Sequence, residues 1–102
     1  MKTELIEQLI EGELQEVDAK WPNYHSHHEA YAVIKEEVEE CEENMEGIKN
    51  ELKLYWDCIK GDMTLDSKSG YLDGIKVLSK GLIKEAVQVY VIAKRVERLC
   101  KK

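Results

Sequence analysis

Five residues in two stretches have the types and spacing to hold a hard cation: Glu36, Glu37 and Glu40 within the run Ile34 to Cys41, and Glu85 and Gln88 in Glu85-Ala86-Val87-Gln88. At about 100° per residue, Ala30, Ile34, Val38, Cys41 and Met45 form one apolar stripe of a helix, and Glu37 falls inside it. Glu40 lies at the edge of the stripe beside Val33, while Glu39 and Glu43 project to the far side. Leu82, Val89, Ile92, Val96 and Leu99 define the apolar face of a second helix, with Glu85 at its centre and Gln88 at its edge.

A carboxylate on a core-facing surface is costly unless it is protonated, paired or bound to a metal. Two i,i+3 pairs of oxygen ligands on facing helices suit Mg²⁺ or Mn²⁺, which prefer carboxylate and water oxygens. The plainer reading is that long side chains carry their charge out to water. That reading is adopted for Glu39, Glu42, Glu43 and Glu46, and for any one of the other glutamates alone the two readings stand level. The same anomaly on two helices favours the cation.

The elements that must position these groups are helical. With 102 residues, 35% charged, one proline and no phenylalanine, the chain reads as one all-α domain, small enough for pairing to enlarge its core. Ile6, Ile10, Leu14, Val17 and Trp21 share one side of a first helix over residues 3 to 20, which Pro22 ends. Ser26 and Glu29 fit a capping box, which gives His25, His27 and His28 a role as cap and loop residues; three histidines could also bind a metal, but they lack partners at helical spacing. A second helix is expected from Glu29 to about Ile59, broken or bent near Gly47, its distal half covered by the first helix or by a second protomer. Residues 61 to 70 read as a loop. Residues 71 to 80 form either a short helix or the first turns of the last one, with Gly81 as the joint, and the last helix runs to Lys101 and Lys102.

The net charge of −6 argues against a general binder of nucleic acid or anionic membrane. It is unevenly spread: residues 29 to 57 carry ten acids and three lysines, and residues 80 to 102 carry seven bases and two acids, leaving Lys84, Arg95 or Arg98 for phosphates. No apolar run approaches the ~20 residues that span a bilayer, and the amphipathic start does not resemble a signal peptide, so a cytoplasmic protein is expected. Cys41, Cys58 and Cys100 are odd in number, without a CxxC, and read as core or interface residues.

Glu36-Glu37-Val38-Glu39-Glu40 resembles the EExxE motif of the MazG-like, all-α nucleoside triphosphate pyrophosphatases, and Glu85-Ala86-Val87-Gln88 stands in the place of their ExxD motif. Asp18-Ala19-Lys20-Trp21, the run His25 to Ala30 and Glu85-Ala86-Val87-Gln88-Val89 look like a small branch of that family found in phages and bacteria. The resemblance covers most of residues 14 to 100. It implies a four-helix arrangement, usually dimeric or higher, in which Mg²⁺ holds a nucleoside triphosphate that water cleaves between the α and β phosphates, giving the monophosphate and pyrophosphate. By position, Glu37, Glu40 and Glu85 would be metal ligands, Gln88 would replace the fourth, an Asp, and Glu36 would orient the attacking water or a neighbouring group. The amide removes a negative charge and adds a methylene, so Mg²⁺ affinity should fall.

Three functions therefore stand open. The first is a metal-dependent nucleotide pyrophosphohydrolase. The second is a protein that captures a nucleotide on the same scaffold without turning it over, and the third is a structural or partner-binding bundle whose glutamates face water.

Overall fold

The computed structural model describes residues 1–101, and it is all-helical: α1 spans Thr3–Lys20, α2 spans His27–Lys60 and α3 spans Leu65–Cys100, with no strand among the described residues. Of the two alternatives for residues 71 to 80, the second is found: they are early turns of α3, and no joint opens at Gly81, so the described residues form three helices.

The ends of α1 and α2 follow from local chemistry. Trp21 is extended, and its amide donates to the Val17 carbonyl at 2.9 Å, which closes α1 just before Pro22. The Ser26 hydroxyl accepts the Glu29 amide at 3.1 Å, and the Glu29 carboxylate accepts the His25 amide at 3.1 Å. Both side chains cap α2 as expected, the carboxylate one residue further back than in the standard box, and α2 begins two residues earlier than expected, at His27.

The 61–70 loop is shorter than its composition suggests. The amide of Met63 donates to the Cys58 carbonyl at 3.0 Å and that of Asp62 to the Ile59 carbonyl at 3.2 Å, the paired bonds of a Schellman stop, with Asp62 in the left-handed region at φ 48°. Two residues later the Thr64 hydroxyl accepts the Ser67 amide at 3.2 Å and α3 is under way, with Asp66 in its first turn complementing the helix dipole. A threonine cap and a favourable acid turn the serine- and glycine-rich segment 65–70 into helix.

The chain divides into two compact units, Met1–Val38 with Glu85 onward, and Glu39–Lys84. In the first, α1 packs with the opening turns of α2 and the closing turns of α3, and its buried centre is Leu14, Ala30, Val91, Ile92 and Arg95. Val91, absent from the expected stripe, is the most deeply buried of these, whereas Ile6 and Trp21 at the ends of the α1 stripe are exposed.

The second unit is a two-helix hairpin. A Cβ on Gly47 would lie 3.0 Å from the Leu78 side chain, one on Gly74 2.8 Å from Glu51, and one on Gly81 3.0 Å from Asn44. These contacts pair residues 44, 47 and 51 with 81, 78 and 74 in one antiparallel register. The glycines thus mark close approach along a seam, and of the break or bend expected near Gly47 no break occurs, since α2 continues through it.

Candidate metal centre

The acids singled out above lie on α2 and α3. Along α2, Glu37 and Glu40 are one turn apart, and α3 returns antiparallel with Glu85 and Gln88 at the same spacing. One carboxylate oxygen from each of Glu37, Glu40 and Glu85 lies within 4.8 Å of the other two. All three side chains are half-buried, and Oε2 of Glu37 is shielded from solvent. Glu39 and Glu43 are exposed, on the far side as expected.

The donor set suits a small hard cation. An octahedral ion with metal–oxygen distances of about 2.1 Å holds its donors roughly 3 to 4 Å apart, so small rotations would bring three oxygens lying within 4.8 Å of one another onto one ion. Among the described residues this is the one such grouping, and His25, His27 and His28 form none. His27 and His28 instead line a shallow cleft of about 470 Å³ with Ala30, Tyr31, Ile34 and Val96.

Gln88 is held elsewhere. Its Nε2 donates to Oε1 of Glu13, on α1. A carboxylate only accepts, so this partner fixes which end of the amide faces α1. Glu13, Glu36, Glu37 and Gln88 all line a cleft of about 800 Å³, whose walls include Trp21, Pro22, Tyr24 and Ile92. Glu36 is exposed there.

Against models of known families, characterised proteins and solved structures, the chain has no match.

Of Lys84, Arg95 and Arg98, the cations expected to be open to phosphates, the two arginines are engaged by Asp18. Arg95, 2% exposed, donates from Nε to Asp18 Oδ1 at 3.0 Å and from Nη2 to the carbonyls of Trp21 at 2.9 Å and Pro22 at 2.8 Å, and its guanidinium sits 5.1 Å from the centroid of Tyr24. Arg98 forks onto both oxygens of Asp18, at 2.8 and 2.7 Å, and reaches Asn23 Oδ1 at 2.7 Å. The Asp18 carboxyl is held down from 3.8 to about 2, chiefly by the Arg98 hydrogen bond, with desolvation opposing and Arg95 adding to the lowering. Asp18 in turn raises the pKa of Arg98. The two arginines tie the connection between α1 and α2, and with it the Trp21–Tyr24 wall of the cleft, to α3.

These latch residues were open to the test that found Glu37. Arg95 lies between Ile92 and Val96 on the apolar side of its helix, and Asp18 follows Leu14 by one turn, so each is a charge set against a stripe. Glu13 meets the same criterion, three residues after Ile10 and four before Val17, as Glu37 is three after Ile34 and four before Cys41. Lys84 is exposed. No helix among the described residues is long and apolar enough to cross a membrane.

Proposed function

We propose that the chain is a metal-dependent nucleoside triphosphate pyrophosphohydrolase on a MazG-like scaffold, in which α2 and α3 of two copies supply the four helices. The observation that carries this reading is the approach of Glu37, Glu40 and Glu85 to within 4.8 Å, with Glu37 also lining a cleft large enough for a nucleotide. Bound Mg²⁺ or Mn²⁺ would supply neutralisation of phosphate charge and orientation of water. Glu37, Glu40 and Glu85 would hold the ion. Gln88 offers its carbonyl oxygen as a further hard donor, since its amide nitrogen is engaged by Glu13.

Glu36, exposed in the same cleft, accepts a hydrogen bond from the attacking water and takes its proton as the new phosphorus–oxygen bond forms. The α–β anhydride bond breaks, its bridging oxygen leaves with the electron pair, and the products are a nucleoside monophosphate and pyrophosphate. Val17, Val33 and Ile92 give the cleft an apolar stretch of wall beside these acids.

The test is incubation of purified protein with a panel of ribo- and deoxyribonucleoside triphosphates, with Mg²⁺ or with EDTA. Release of monophosphate and pyrophosphate that EDTA stops and Glu85→Ala abolishes is expected. Absence of both products across the panel would sink the assignment.

The Gln88–Glu13 hydrogen bond favours one second reading, capture without turnover, because it fixes a neutral side chain where a fourth charge would otherwise bind the ion. Calorimetric binding of a triphosphate without product, lost in Glu85→Ala, is the outcome expected of it.

A further inference from the structure

We infer that Arg95 is a positioning residue for the ligand: through the connection between α1 and α2 it sets the wall of the cleft on which a nucleotide rests, and so governs affinity rather than turnover. The inference names a further residue of the site proposed above, and it rests on that reading. Trp21, Pro22 and Tyr24 of the connection all line the cleft of about 800 Å³. Burial does not hold this wall in place, since Trp21 is 65% exposed and Pro22 and Asn23 are exposed as well. Proline has no N–H to give, and the Trp21 amide is already spent on closing α1. The carbonyls of Trp21 and Pro22 are gripped from α3 instead, by Nη2 of Arg95 at 2.9 and 2.8 Å, while the Tyr24 ring lies 5.1 Å from the guanidinium.

Arg95 is itself part of the cleft, and along α3 it follows Gln88 by seven residues and Ile92 by three, so all three lie on one face. Residue 88 is about 10 Å from residue 95 along the helix. One rigid element thus carries a candidate cation ligand and, two turns on, the support of the aromatic wall. Stability alone asks less of this side chain, because an apolar residue of similar volume often serves a buried site as well as an ion pair does. An apolar residue cannot hold two carbonyls and a carboxylate at fixed distances, however. Nor can a lysine, whose donors radiate from one nitrogen, whereas Arg95 uses Nε for Asp18 and Nη2 for the wall. Arg98 supplies the contrast: its bonds go to the side chains of Asp18 and Asn23, and it is not among the residues that line the cleft. A wall fixed before the ligand arrives need not be ordered by it, and the difference appears as affinity.

The experiment uses the full chain, with circular dichroism on every variant. Calorimetric titration with the α,β-methylene analogues of ATP and dTTP in Mg²⁺ gives Kd, and steady-state assays on the triphosphate panel give KM and kcat. Arg95→Lys is expected to raise Kd and KM about tenfold and to leave kcat within about twofold, the pattern of lost binding common to ground and transition states. Arg98→Lys is expected to lower the melting temperature while Kd and KM stay at parental values. Pro22→Gly, which keeps the carbonyl but frees the backbone, should again raise Kd and KM, and it decides alone if Arg95→Lys does not fold. Three results overturn the inference: parental constants in the deciding variant, equal losses of affinity in Arg95→Lys and Arg98→Lys, or a parent that binds neither analogue. The two readings separate on the same samples. Binding that Arg95→Lys weakens, without turnover by the parent, removes the hydrolase and leaves the positioning role, and turnover with an unchanged KM in Arg95→Lys does the reverse.

Discussion

A neutral amide stands at residue 88, one turn along α3 from Glu85, and its hydrogen bond to Glu13 says what adding a charge there would do. In Gln88→Asp a carboxylate would face Glu13 in place of the donor that now holds it. Two like charges are then brought together without a proton or cation between them, so the variant should lose about 1–3 kcal/mol in EDTA and recover much of that in Mg²⁺. Adding Glu13→Gln returns a donor to the pair, and the double variant should regain stability in EDTA. Thermal melts of parent, single and double variants with and without Mg²⁺ check this; a Gln88→Asp melt indifferent to Mg²⁺ would argue against a cation beside residue 88. The Asp18 latch gives a second prediction. The folded chain keeps Asp18 ionised to lower pH than the unfolded chain does, so the latch contributes in full above about pH 4 and loses its contribution as the pH falls through 2. Asp18→Asn should cost roughly 1 kcal/mol near neutral pH. That is below the usual penalty for breaking a buried pair because a third of the Asp18 side chain still meets water. Urea midpoints between pH 5 and 2 should fall steeply in the parent and less so in the variant.

Among the elements, glycine placement separates positions that tolerate a methyl group from those that do not. A Cβ on Gly12 meets nothing within 4 Å, so Gly12→Ala should stabilise α1 by about 0.5–1 kcal/mol through helix propensity alone. Gly47→Ala gains the same propensity but presses its methyl on two branches of Leu78, at 3.0 and 3.1 Å, and should therefore fall short of Gly12→Ala in a melting comparison. The opposite exchange is favoured at the turn, where Asp62 holds φ 48° at the left-handed position that glycine occupies without strain. Asp62→Gly should raise stability by about half a kcal/mol, measured as the shift in urea midpoint. Pattern alone made α1 legible, and it located α2 to within two residues. The last helix was harder, since the Thr64 cap lies in a segment whose serines and glycines read as loop, and since a glycine that admits a neighbouring helix looks the same in sequence as one that ends its own.

For the molecule as a whole, the acidic triad was legible because a carboxylate inside an apolar stripe contradicts its surroundings, and the same contradiction at Arg95 marks a fastening rather than a phosphate site. What the stripes could not carry was pairing across long stretches of chain: neither Glu13 with Gln88 nor Asp18 with Arg95 follows from helical spacing, because the partners are 75 and 77 residues apart. That separation has a temporal meaning. The hairpin closes over the short turn at residues 61 to 64, so its contacts form at little cost in chain entropy, whereas the Asp18 latch must wait for the two ends of the chain to find each other. Breaking the latch with Asp18→Asn should accordingly quicken unfolding and leave the refolding rate nearly unchanged, which stopped-flow chevrons would register on one limb alone. The arginine fastening would then act as a brake on the exit from the native state, governing how long a folded molecule lasts more than how fast it is made.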